Sequence, residues 1–208
     1  MMISNQPISL NNPTRKEESI VLFEESKKAY LRKAESNYNY YEEKLKESEK
    51  RIEENKKKRK VIKPESMPWE KSRQGILKHL FNERMDVQIE SIDAYMQFIP
   101  PGSRSGKHRH MSEEYIFVLE GKGYDLHWDV DFELGEKYYW KVDEKPSRWE
   151  WEQGDSIYVP PNTVHQHFNA DDKKPARFIS ATSRMVRYIG FDDLEQIENA
   201  PEYGEKDF

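Results

Sequence analysis

GSRSGKHRHMSEEYIFVLEG, residues 102–121, sets two of the chain's six histidines around one arginine, with a glutamate four residues later and a glycine at the end. Its second half is rich in β-branched and aromatic residues and reads as a strand. Strand side chains alternate between faces, so His108, His110 and Glu114, being of one parity, project to one side if the segment is extended. Ile116 and Val118 follow them on that side, which suits a barrel interior. A carboxylate and two imidazoles facing an apolar interior are costly unless something compensates them. A divalent cation compensates all three. Imidazole nitrogen suits Fe, Zn, Cu and Ni, and a mixed histidine and carboxylate set with open positions suits non-haem Fe(II).

A second stretch has the same texture. In GDSIYVPPNTVHQHFN, residues 154–169, Thr163, His165, His167 and Asn169 share parity, and two prolines set the entry to the strand. One more ligand from this strand closes a site of three histidines and one glutamate. Four of the six histidines fall in these two His-x-His pairs, whereas His79 and His127 read as ordinary hydrogen-bonded side chains.

Outward from these stretches the chain changes character near Val61. Residues 14–60 are dominated by Glu, Lys, Ser and Asn without Gly or Pro, which predicts a long helix. Leu31, Ala34, Tyr38, Tyr41, Leu45, Ser48 and Ile52 form a thin heptad stripe along it. The basic run Lys56 to Lys60 suits the negative end of its dipole. Beyond Lys63-Pro64 and Met67-Pro68 come short strand-like runs, from QGILKHLFN and SIDAYMQFI to ARFISATSRMVRYI, separated by turn signals such as Pro100-Pro101-Gly102 and Gly121-Lys122-Gly123. Many short strands with turns between them predict an antiparallel sandwich or barrel. The expected organisation is a helical extension over 1–62, a β-barrel over 63–190 and an acidic tail over 191–208 that forms one short helix and then frays.

The 208 residues carry a net charge of -5, which gives no reason to expect nucleic acid as a partner. There is no cysteine, so disulfides and thiolate metal sites are excluded. No apolar run approaches the roughly 20 residues of a membrane span. The first residues lack a signal-peptide pattern, so a cytoplasmic protein with no membrane partner is expected.

The two histidine stretches resemble the two motifs of the cupin superfamily. Gly102, His108, His110, Glu114 and Gly121 match the first without a gap, and Gly154, Pro160, Asn162, His165 and Asn169 match the second. The one departure is Asn162, where the family usually has glycine; asparagine tolerates the left-handed turn that a glycine would take. The resemblance covers roughly residues 75–190. It implies a mainly β fold, a double-stranded β-helix or jelly-roll barrel, with metal ligands His108, His110, Glu114 and His165. His167 lies outside the motif; its inward parity reads as a catalytic residue, touching substrate or supporting a ligand, with a packed, hydrogen-bonded interior histidine as the alternative.

The text HRHMSEEYIFVLEGKGYDL and GDSIYVPPNTVHQHFNADDKKPARFI is similar to single-barrel cupins of the gentisate dioxygenase type. That implies an Fe(II) dioxygenase acting with O2 on a small aromatic diol or hydroxy acid. Such sites usually hold iron with three histidines, so Glu114 either binds the metal or orients a ligand. A cationic side chain is expected to clamp a substrate carboxylate, and Arg104, Arg177 and Arg184 are the candidates. Fold does not settle function. A non-oxidative isomerase, lyase or decarboxylase using Mn, Zn or Ni, and a ligand-binding cupin without catalysis, stand beside the dioxygenase. A homodimer is expected, since cupins commonly pair through sheet edges.

Overall fold

The computed structural model describes residues 39–191 and 193–204. The chain divides into two compact units, residues 1–51 and 52–208. The described part of the first is helical and belongs to α1, Tyr40–Lys57. Glu42 and Glu43 in its first turn and Lys56 and Lys57 in its last complement the dipole. No residue of α1 is buried, and Tyr41, Leu45 and Ile52 of the expected stripe are exposed. Leu31, Ala34 and Tyr38 of that stripe lie outside the described residues.

The second unit is built of strands. In chain order they are β1 (Trp69–Ser72), β2 (Gly75–Phe81), β3 (Ile92–Ile99), β4 (Lys107–Arg109), β5 (Glu114–Glu120), β6 (Lys122–Trp128), β7 (Val130–Leu134), β8 (Tyr138–Val142), β9 (Ser147–Glu152), β10 (Ser156–Val159), β11 (Val164–Asn169), β12 (Ala176–Ser183) and β13 (Glu195–Glu198). A short helix, α2 (Met185–Tyr188), follows β12. One sheet has the order β1-β2-β3-β12-β5-β10 and the other β13-β4-β11-β6-β9, while β7 and β8 form a separate hairpin. Every pairing between these strands is antiparallel.

The interior between the two sheets has an apolar end and a polar end. Ile99, Ile116, Val118, Trp151, Ile157, Val159, Ala176 and Phe178 make the apolar end. Alternation supplies them: on β5, Glu114, Ile116 and Val118 are buried while Tyr115 and Phe117 are exposed. Asn169 anchors the closing loops. Its Nδ2 donates to the carbonyls of Ile99, Pro100 and Lys174, and its Oδ1 accepts from the amide of Asp171.

The acidic tail corrects an expectation. Residues Glu195–Glu198 form a strand, not a helix, and pair with β4. The reason is tertiary: the edge of β4 offers this segment a strand partner and basic side chains. Strand β4 is basic on either side of His108, and Arg109 Nε donates to Glu195 Oε2 at 2.6 Å. Lys107 Nζ lies 3.8 Å from Glu198. Beyond the strand, Ala200 is buried, its amide donates to the carbonyl of Arg73, and Glu202 accepts from the Ser103 hydroxyl.

Candidate metal centre

Parity places His108 but does not by itself gather the cluster. Strand β4 ends at Arg109, the chain bends, and Glu114 opens β5 in the opposite sheet. The segment is therefore not one extended strand. His108 and Glu114 meet because two sheets face each other across the interior. His165 comes from the neighbouring β11, where it is the register partner of His108. His110 sits just past β4, and its carbonyl accepts from the amide of Asn162 at 2.8 Å. Asn162 has φ 62, the left-handed turn expected of a glycine at that motif position.

The three rings are oriented alike. Nδ1 of His108 faces the carbonyl of Gly106 at 3.3 Å, that of His110 the carbonyl of Ser112 at 2.7 Å, and that of His165 the carbonyl of Thr163 at 2.9 Å. A carbonyl only accepts, so each Nδ1 is placed to donate, and each ring turns its Nε2 toward the cluster. His110 Nε2 lies 3.0 Å from Glu114 Oε2 and His165 Nε2 lies 3.2 Å from it. The four side chains offer ligand atoms that all lie within 4.8 Å of one another.

Glu114 is fully buried, and its ion-pair partners among the described residues are these two imidazoles. Burial pushes its carboxyl up, but the adjacent His110 and His165 imidazoles hold it well below the usual range. Its other oxygen accepts from Tyr95 at 3.2 Å and from Ser180. Burial drives His108 and His165 down, whereas at His110 the Glu114 carboxylate outweighs burial and raises the ring. His165 Nε2 is buried without a hydrogen-bond partner. Three imidazole Nε2 atoms converging on a buried carboxylate, one of them without a hydrogen-bond partner, fit a divalent cation with nitrogen and oxygen ligands.

A cavity of about 170 Å³ opens beside the cluster, with Gln74, Tyr95, His108, His110 and Arg184 on its polar side and Met111, Val186, Phe191 and Leu194 on its apolar side. Arg184 is buried and bonded to Asp93 Oδ1 through Nε at 3.0 Å and Nη2 at 2.5 Å. Neither Arg104 nor Arg177 borders this cavity. Arg104 is exposed and forms a bridge with Phe168, and Arg177 is on the outer face of β12, paired with Glu120. Arg109 faces away and pairs with Glu195.

His167 also falls outside the cavity lining. It shares the inward face of β11 with His165, but two residues along a strand amount to roughly 6.6 Å. That step carries it deeper, to Asp125, its register partner, and to Phe178, whose ring centroid is 4.9 Å away. His167 Nδ1 lies 2.9 Å from Asp125 Oδ1, which also accepts from Trp151 Nε1 at 2.7 Å. Burial lowers His167, but the Asp125 carboxylate more than offsets this and raises it. Asp125 is in turn held below the usual carboxylate range, because His167, His127 and Trp151 outweigh its own burial. Sequence reasoning missed Tyr95, Ser180, Gln74 and Asp125. Inward parity on β3, β6 and β12 marks Tyr95, Asp125 and Ser180 as facing the interior but not what they meet there, and Gln74 lies in the turn between β1 and β2.

A family profile described as a cupin domain matches residues 132–182, which hold the second histidine pair. The auxin-binding protein T85 of Nicotiana tabacum is 27% identical over 106 residues, 50% of this chain and 53% of that one. The chain thus spans about half the length of this curated relative. Among solved structures, an oxalate decarboxylase of Bacillus subtilis is 17% identical with a TM-score of 0.47, over 65% of this chain and 30% of that one. A salicylate 1,2-dioxygenase of Pseudaminobacter salicylatoxidans is 20% identical with a TM-score of 0.42, over 57% and 30%. A cupin-like protein of Thermotoga maritima is 19% identical with a TM-score of 0.43, over 62% and 87%. No helix among the described residues is long and apolar enough to cross a membrane.

Proposed function

We propose that this chain is a metal-dependent cupin enzyme, an Fe(II) dioxygenase acting on a small aromatic diol or hydroxy acid. The observation that carries this reading is the set of three Nε2 atoms and one carboxylate beside a small cavity. In the proposed reaction His108, His110, His165 and Glu114 hold the metal. When bound, ferrous iron supplies the electron path between a chelated substrate and O2. Ser180 and Tyr95 fix the Glu114 carboxylate by donating to its second oxygen. Arg184 is the contact for a substrate carboxylate, sharing its charge with Asp93. Met111, Val186, Phe191 and Leu194 give an aromatic ring an apolar wall. His167 supports β11 from below and does not touch substrate.

The test is metal content, measured on protein purified without oxygen and without an affinity tag, followed by oxygen uptake with aromatic diols and hydroxy acids. Stoichiometric iron with substrate-dependent oxygen uptake supports the reading. Manganese, zinc or nickel with turnover in the absence of oxygen supports a non-oxidative isomerase, lyase or decarboxylase instead. Ligand binding without turnover marks a binding module. The proposed assembly is a homodimer, and a monomer at micromolar concentration by light scattering refutes it.

A further inference from the structure

A second concavity, of about 530 Å³, lies where β9 and β10 form the open edges of the two sheets, and it shares no lining residue with the metal cavity. Its wall contains an anomaly of alternation. Trp149 and Trp151 share parity on β9, yet Trp151 is 4% exposed while Trp149 is 56% exposed. An indole on the inward face of a strand is left open because the facing sheet ends before covering it. Tyr158, 54% exposed, borders the same groove.

The charges in the groove have one sign. Asp129, Glu150 and Asp155 line it, and no lysine or arginine does. Glu150 is shared with Arg148, whose Nη2 lies 3.3 Å away outside the lining, whereas Asp129 and Asp155 have no ion pair among the described residues. His127 also lines the groove, but its buried Nε2 lies 3.6 Å from Oδ2 of the fully buried Asp125 and belongs to that interior pair. His127 and these carboxylates do not form a metal cluster.

We infer that this groove is a second binding site, for a small organic ammonium ion whose apolar body packs on Trp149 and Tyr158. Aromatic faces attract a cation through their quadrupole, and carboxylates add charge. The volume lies within the usual small-ligand range of about 300–1,000 Å³. This inference does not rest on the proposed dioxygenase activity.

The experiment uses the full chain, with phenethylammonium as probe and the neutral alcohol phenylpropanol as its control, followed by calorimetry and indole fluorescence. Trp149→Ala, the double variant Asp129→Asn/Asp155→Asn, and His108→Ala/His110→Ala are compared with the unaltered chain. Trp149 is exposed, so its removal leaves the barrel intact. The expected result is saturable millimolar or tighter binding of the ammonium, weakened about tenfold by Trp149→Ala and by the double aspartate variant, and unchanged by loss of the two metal-site histidines. Absence of saturation overturns the inference, as does equal binding of the alcohol or unchanged affinity in Trp149→Ala. Loss of binding in His108→Ala/His110→Ala would assign the probe to the metal cavity. Self-association that depends on Trp149 would assign the groove to a second copy of the chain, and also overturns it.

Discussion

His108 and His165 are register partners across β4 and β11, with ring centroids 4.2 Å apart and both Nδ1 atoms turned to backbone carbonyls. The backbone ladder therefore sets their spacing, and the carbonyls set their ring orientation.

The first prediction follows from that organisation. His108→Ala/His110→Ala removes two of the four donors but none of the strand pairings, so the variant folds and loses metal. A ligand that binds only the folded state stabilises it by about 2.7 kcal/mol at 100 times its Kd. Adding Mn2+ or, anaerobically, Fe2+ should raise the Tm of the unaltered chain by several degrees and leave the variant unmoved. Differential scanning calorimetry with metal analysis checks this. Stoichiometric metal retained in the variant refutes the ligand assignment.

Ser180 and Tyr95 carry the second prediction. Both donate to the Glu114 oxygen that faces away from His110 and His165, so they fix the carboxylate without contacting the other three donors. Loss of such a supporting hydrogen bond weakens metal binding by roughly 10- to 100-fold. Ser180→Ala should show that loss in a chelator competition with Mn2+, and Tyr95→Phe a similar one. Glu114→Gln distinguishes the two roles left open for the carboxylate: a direct ligand predicts a larger loss than either supporting variant, an orienting residue a comparable one. Unchanged affinity in Ser180→Ala would mean that the carboxylate is held by its other contacts.

Much of this was legible in the sequence, for identifiable reasons. The two motifs fix a run of residue types at close spacing, and such spacing survives into structure when one strand or one turn carries it. His108, His165 and the turn at Asn162 are of this kind. Contacts between distant strands were not legible. Nothing local in β3 or β12 announces that Tyr95 and Ser180 will meet Glu114. Parity alone could not separate His165 from His167, because a face has depth as well as side. The tail was misread because its acidic, helix-compatible text takes its structure from pairing with the basic edge of β4, a tertiary preference that overrides local propensity.

Asp125 gives a prediction in pH. Its folded-state pKa is held below the unfolded value of about 3.9, with burial opposing and His167, His127 and Trp151 prevailing. The unfolded chain therefore takes up the proton first on acidification. The contribution of Asp125 to stability is present above about pH 4 and is lost as pH falls through the folded value. Asp125→Asn keeps an oxygen for the Trp151 donor but removes the charge. Near neutrality the variant should be less stable by on the order of 2 kcal/mol, and the gap should narrow as the medium is acidified. Urea denaturation across a pH series measures both. A gap that does not change with pH would mean that shape, not charge, makes the difference.

The last prediction concerns the turn that departs from the motif. Asn162 holds φ 62 and is 4% exposed, its amide donates to the carbonyl of His110, and its Oδ1 accepts from Arg109 at 3.4 Å. Asparagine visits the left-handed region at modest cost because its short polar side chain bonds locally, glycine at less, and alanine at roughly 1–2 kcal/mol. Asn162→Gly should thus be within about 0.5 kcal/mol of the unaltered chain, its lost bond to Arg109 offset by relief of the backbone. Asn162→Ala should lose about 1–2 kcal/mol and also weaken metal binding, because a shifted turn releases the carbonyl that positions His110. Denaturation midpoints and metal titrations on the two variants separate these effects. Equal stability of the alanine and glycine variants would show that the turn can relax out of the left-handed region, and that His110 does not depend on it.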